Sequence, residues 1–203
     1  VSGAYPLAFR PARVEMTGIS PTFVSTPHSL KAQRRSRGAH RWRLKYIYGP
    51  CVRTEYSPIV GFIDEQLGRF EKFTTVIAGK ENPLGGVSGA TQVDGAQAAG
   101  VMSVNLKNLP LNINGVFKAF DLITFAGHLK VYEVTRDANS DGAGKAAVFI
   151  MTPLFTAVAN LEAVTWQNVA MKVARASDTF DRSWKGGLVC PGFEVEMIED
   201  PYP

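Results

Sequence analysis

Two cysteines and three histidines are the side chains best suited to covalent or acid–base chemistry in this 203-residue chain. Cys51 and Cys190 stand 139 positions apart, a separation that is neither a zinc spacing nor a disulfide framework. They read as two buried or incidental thiols, and a single bridge between them remains open provided their strands are neighbours in the fold. His28 and His40 fall in proline-rich and arginine-rich stretches, and His128 follows Gly127 in a turn, where a polar residue needs no functional explanation. No GxSxG, HExxH or CxxC pattern occurs, and no histidine lies near Cys51 in sequence. Asp64 and Glu65 are adjacent on a predicted helix, so they diverge and read as its solvated face. The expectation is therefore a protein that is not an enzyme, with no catalytic residue, no cofactor and no metal site.

Two further patterns carry chemistry only at first sight. Asp137, Asn139 and Asp141, with Gly142 after them, match the first ligand positions of a calcium loop, but position twelve is Val148 instead of a bidentate Glu, and flanking helices are missing. The same residue types make tight hairpin turns, which is the preferred reading. Gly85-Gly86 is followed by no GxxxxGK[ST], and no strand feeds a glycine turn into a helix, so phosphate cradling is not expected.

The arginines are the strongest binding signal. Residues 31–45 hold Lys31, Arg34, Arg35, Arg37, Arg41, Arg43 and Lys45, and residues 1–80 carry 13 Lys plus Arg against 5 Asp plus Glu, while the rest of the chain carries 9 against 13. Three readings stay open: phosphate neutralisation with Trp42 stacking on a base, a solvated loop beside a strand whose inner face carries Trp42, and pairing with an acidic partner surface, including a neighbouring subunit. The second is preferred to the first. Arg34, Arg35, Arg37, Arg41 and Arg43 are the candidate contacts to another subunit or an acidic partner.

The elements that must position these residues centre on Arg41–Thr75. Trp42, Leu44, Tyr46 and Tyr48 alternate with Arg43, Lys45 and Ile47, the period of a strand with one apolar face. Gly49-Pro50 ends it, and Ile59, Phe62, Ile63 and Leu67 then fall at helical spacing over Thr54–Leu67, with Thr54 or Ser57 as cap and Gly68 as stop. Phe70, Phe73 and residues 74–77 predict a returning strand.

The tryptophan-bearing strand, the run EYxxIxxFIDxxxGRFExF from Glu55 to Phe73, and the strand GFEVEM at Gly192–Met197 resemble the tail-tube-like domain of tailed-bacteriophage distal tail proteins. The likeness covers roughly Leu7–Ile77 and Val189–Ile198 and rests on aromatics and glycines. It implies a structural virion protein forming a ring, commonly a homohexamer, that joins the tail tube protein to the hub of the tail tip or baseplate. It also implies support for tail fibre or receptor-binding proteins, with DNA only in transit through the channel. Head–tail connector or tail-terminator rings are the alternative within the virion.

The remaining chain completes the expected architecture. Four prolines in residues 1–30 suggest edge strands and an extended arm that buries little on its own domain and docks on a neighbour. Glycine-rich residues 78–100 read as a boundary. Residues 101–165 read as an inserted OB-like β-barrel whose aromatics Phe120, Phe125, Tyr132, Phe149 and Phe155 belong to its core, with carbohydrate or nucleic-acid binding as the alternative function. Residues 164–176 suggest one strand with a slip near Asn168, and Val189–Ile198 a strand with Phe193, Val195 and Met197 inward and Glu194, Glu196 and Glu199 outward. The expected fold is mainly β (α+β), with a tail-tube-like domain at 1–82 and 166–203 and the barrel at 83–165. With no run of about 18 apolar residues and no signal segment at Val1-Ser2-Gly3, it is expected to be a soluble protein without membrane insertion, made in a bacterial cytoplasm and carried in the virion.

Overall fold

The strand alternation at Arg41–Tyr48 buries Trp42, Leu44, Tyr46 and Tyr48 on one side, and this strand lies inside the largest sheet. The computed structural model describes residues 3–26, 31–36, 38–186 and 189–202. In chain order, β1 (Arg13–Ile19) precedes a hairpin of β2 (Thr22–Ser25) and β3 (Gln33–Ser36). There follow β4 (Arg41–Tyr48), β5 (Cys51–Val52), α1 (Arg53–Glu65) and β6 (Lys72–Val76). Six short strands come next: β7 (Gln92–Val93), β8 (Ser103–Lys107), β9 (Leu122–Phe125), β10 (Tyr132–Glu133), β11 (Ala146–Phe149) and β12 (Val164–Thr165). The chain ends with β13 (Ala170–Arg175), β14 (Val189–Cys190) and β15 (Phe193–Glu199). The described residues are mainly β with one helix.

Strands from both ends of the chain build one antiparallel five-stranded sheet in the order β1-β4-β15-β13-β6. Its inner face joins Leu44, Tyr46, Phe73, Met171, Val173 and Met197 into one core, onto which α1 lays Ile59 and Ile63. Burying such side chains stabilises by about 1.5–3 kcal/mol each. The helix starts earlier than the Ser57-Pro58 pair suggests: Glu55 Oε2 accepts from the Val52 N–H at 3.0 Å, one half of a capping box, so Pro58 falls inside the helix. Leu67 and Gly68 then adopt left-handed backbone (φ 51° and 70°) and end it.

The N-terminal segment docks on its own chain, contrary to expectation. Tyr5 N–H donates to Thr74 C=O at 2.8 Å and Thr74 N–H to Gly3 C=O at 2.9 Å, a parallel bridge to the middle residue on the outer edge of β6. Tyr5 is buried edge-on to Tyr46 and Phe62 and stacked on Phe73. Leu7 and Phe9 pack on the same core. The prolines prevent regular pairing, but the apolar residues between them anchor the segment.

Residues 83–165 form no closed barrel. Two antiparallel three-stranded sheets, β11-β8-β7 and β10-β9-β12, pack around a second core that includes Val104, Phe117, Ile123, Phe125, Tyr132 and Val148. Strands of two to five residues, joined elsewhere only by isolated bridges, are too short for continuous closure. Phe125 and Tyr132 are core, whereas Phe120 and Phe155 are about half exposed, so the expectation that the aromatics are all interior is corrected. The slip at Asn168 is a true break. Asn168 has φ 48° and its N–H donates to Glu81 C=O at 2.7 Å, dividing the stretch into β12 in a small sheet and β13 in the large one. No helix among the described residues is long and apolar enough to cross a membrane.

Candidate functional site

Glu199 ends β15 in phase with Phe193, Val195 and Met197, so the pleat turns it inward, and it is 0% exposed. This corrects its assignment to the acidic outer face, and strand parity alone was sufficient to place it. Its Oε1 accepts from Val131 N–H at 3.1 Å; its Oε2 accepts from Trp42 N–H at 3.1 Å and from the Lys130 ammonium. Lys130 Nζ also donates to His40 C=O and to His40 Nδ1, both at 3.2 Å, which leaves the proton of the neutral imidazole on Nε2. The His40 ring stands edge-on to Trp42, centroids 4.5 Å apart. Gly18, opposite Trp42 on β1, leaves room for both, since a Cβ there would lie 2.9 Å from His40 Nε2. Burial pulls the Lys130 ammonium below its ordinary value against the opposing pull of Glu199, and burial followed by the Lys130 charge lowers His40 to about 4. The three polar groups tie the start of β4, the β9–β10 turn and the end of β15 together.

The candidate arginines do not gather at one place. Arg34 and Arg35 lie on the exposed β3 of the hairpin, opposite Val24 and Phe23. Arg41 lies 5.3 Å from the Tyr202 ring centroid, and Arg43 is on the outward face of β4 between Thr17 and Ile198. Arg37 lies outside the described residues, as does His28. Trp42 is 5% exposed and cannot stack on a base. Part of the basic first third meets carboxylates of the same chain, through Lys45 with Glu194 and Glu196, Arg69 with Asp178 and Lys72 with Asp200.

Cys51 and Cys190 are brought together. They are direct partners across the two-residue β5–β14 ribbon, both buried free thiols, and burial with the adjacent sulfur pushes Cys51 up to about 11. Cys190 also lines an open groove of about 380 Å³ between α1 and residues 180–184, together with Arg53, Tyr56, Arg182 and Trp184. No histidine lines it. His128 Nδ1 is instead 3.1 Å from Tyr132 Oη, which accepts from Phe155 N–H.

The glycine pair and the acidic turn satisfy internal groups. Leu84 and Gly85 N–H donate to Asp121 at 2.6 and 3.2 Å, joined by Lys118 N–H at 2.7 Å, while Gly86 N–H donates to Gly115 C=O, so Leu84 and Gly85 hold a carboxylate of their own chain. Asp137 accepts from Ala119 N–H and Lys118 Nζ, Asn139 from Gly115 N–H, and Asp141 from Ala143 and Lys145 N–H. These side chains build turns. Among the described residues, no cluster of three or more His, Cys, Asp or Glu could hold a metal ion.

No protein-family model matches the chain, and no curated protein matches it significantly.

Proposed function

We propose that this protein is a structural component of a phage tail, forming a ring at its distal end that joins the tail tube to the tip or baseplate hub. The tail setting comes from the resemblance of the Trp42 strand, the Glu55–Phe73 run and Gly192–Met197. The observation that supports assembly is the unequal treatment of the large sheet's two edges. Residues 3–5 bridge β6 at Thr74, whereas the seven-residue β1 has no backbone partner on its outer side among the described residues. An open edge of that length is a template for pairing with another chain.

The β2–β3 hairpin leads in the same direction. It exposes Phe23 and Val24 together with Arg34 and Arg35, and a lone two-stranded hairpin is marginal in water, so a neighbour that covers it adds stability. In this reading the five-stranded sheet with α1 is the tail-tube-like unit, and residues 83–165 face outward so that the channel stays open. Mass photometry of the purified chain, followed by negative-stain imaging, tests it: a closed ring is expected, and a chain that remains monomeric at every concentration overturns it.

A further inference from the structure

We propose that Cys51 and Cys190 are a reversible thiol–disulfide site that takes a low-molecular-weight disulfide of the glutathione class as oxidant and fastens β14, beside the groove, to the start of α1. The β5–β14 pairing places the two residues directly opposite each other. Opposed residues of antiparallel strands have Cα atoms roughly 4.5–5.5 Å apart, within the range a disulfide spans. Cys51 immediately precedes the Val52 cap of α1, and Val189 of β14 bridges to Lys185, so a bond between the sulfurs adds to the two-residue ladder and to the Arg182–Asp64 ion pair that joins this side of the groove to α1.

The route follows from the groove. Cys190 lines it beside Ser57 and Phe193, whereas Cys51 is not part of the lining, so a small disulfide in the groove meets Cys190 first. The Cys190 thiolate attacks one sulfur of the oxidant RSSR, forming a Cys190–S–S–R mixed disulfide and releasing one thiolate, which takes up the proton lost by Cys190. The Cys51 thiolate then attacks Cys190 Sγ, closing the protein disulfide and releasing the second RS⁻, which takes the Cys51 proton. Two protein thiols are oxidised and one RSSR is reduced to two RSH, and a reducing thiol reverses both steps.

The full chain, reduced and freed of reductant, is incubated with glutathione disulfide and followed by intact mass, thiol titration in denaturant and peptide mapping. Expected are the loss of two hydrogens, disappearance of both thiols, a Cys51–Cys190 cross-linked peptide, and a Tm rise of roughly 5–15 °C that dithiothreitol reverses. Cys51→Ser should stop at one glutathione adduct on Cys190. Two persisting thiols, separate adducts on both cysteines, or a cross-link only between chains overturn the proposal. The wild-type measurement decides even where a variant does not fold.

Discussion

Lys130 and Glu199, 69 residues apart in the chain, form a buried ion pair between the β9–β10 turn and the last residue of β15, with side chains 4% and 0% exposed. Each partner has further hydrogen bonds, which is the condition under which a buried pair is tolerated. Glu199→Leu leaves the ammonium with only His40 for company and should cost about 3–5 kcal/mol. Adding Lys130→Met should recover only part of that loss, because the Trp42 and Val131 N–H groups stay without their acceptor. Urea unfolding of the two single variants and the double variant measures it, and a double variant as unstable as the sum of the singles would show that the pair is not coupled.

His40 makes the same region sensitive to acid. Its folded pKa is about 4 against an ordinary 6.5, lowered by burial and then by Lys130. The unfolded chain thus binds the extra proton between these values. Stability contributed by the neutral ring is complete above about pH 6.5 and is lost progressively down to about pH 4, roughly 2–3 kcal/mol in all. Glu133, whose carboxyl burial raises, works in the opposite sense, so the comparison must be with His40→Gln. The stability difference between wild type and His40→Gln should shrink across this window. A constant difference would mean that His40 titrates normally.

Tyr5 decides whether the N-terminal segment belongs to this fold. It is 4% exposed, contacts three aromatic rings and shares a hydroxyl–hydroxyl hydrogen bond of 3.1 Å with Tyr48. Tyr5→Ala should destabilise by about 3–5 kcal/mol, and Tyr5→Phe by about 1 kcal/mol, in chemical denaturation at protein concentrations low enough to hold the chain as a monomer. A neutral Tyr5→Ala would return the segment to the role of an arm for a neighbour.

The Asp121 cradle gives a steric test. A Cβ on Gly85 would lie 2.4 Å from Val116 O and 2.7 Å from Phe117 Cα, both backbone atoms, whereas on Gly86 it would meet only the Ile113 side chain at 3.1 Å. Gly85→Ala should therefore cost more than about 2 kcal/mol and Gly86→Ala clearly less. Asp121→Ala strands three backbone donors and should cost about 2–4 kcal/mol. Thermal melts of the three variants rank them.

The large sheet was legible where a strand was long enough to show a period. β4 and β15 have eight and seven residues, and alternation alone placed Trp42, Leu44, Tyr46, Val195 and Met197 inside. Glu199 followed the same parity, but its charge argued for solvent, and its partner Lys130 is too distant in sequence for any local pattern to reveal. Two-residue strands such as β5, β7, β10, β12 and β14 span a single repeat of the pleat and show no period, so the Cys51–Cys190 register could not be read and the second core looked like a barrel. Tyr5 was obscured because proline density describes the backbone and not the anchoring power of the residues between.

The hairpin offers the sharpest separation of folding from assembly. Phe23, Arg34 and Arg35 are exposed and make no contribution to either core, so Phe23→Ser with Arg34→Glu and Arg35→Glu should change monomer stability by no more than about 0.5 kcal/mol. If copies meet through this hairpin, the same triple variant should shift the oligomer to smaller species, because it removes the apolar anchor and reverses the charge facing an acidic neighbour. Raising salt should weaken the wild-type oligomer in the same direction by screening those arginines. Mass photometry across a salt series reads both effects. An unchanged ring in the triple variant would remove the hairpin from the interface and leave the open β1 edge as the remaining place for copies to meet.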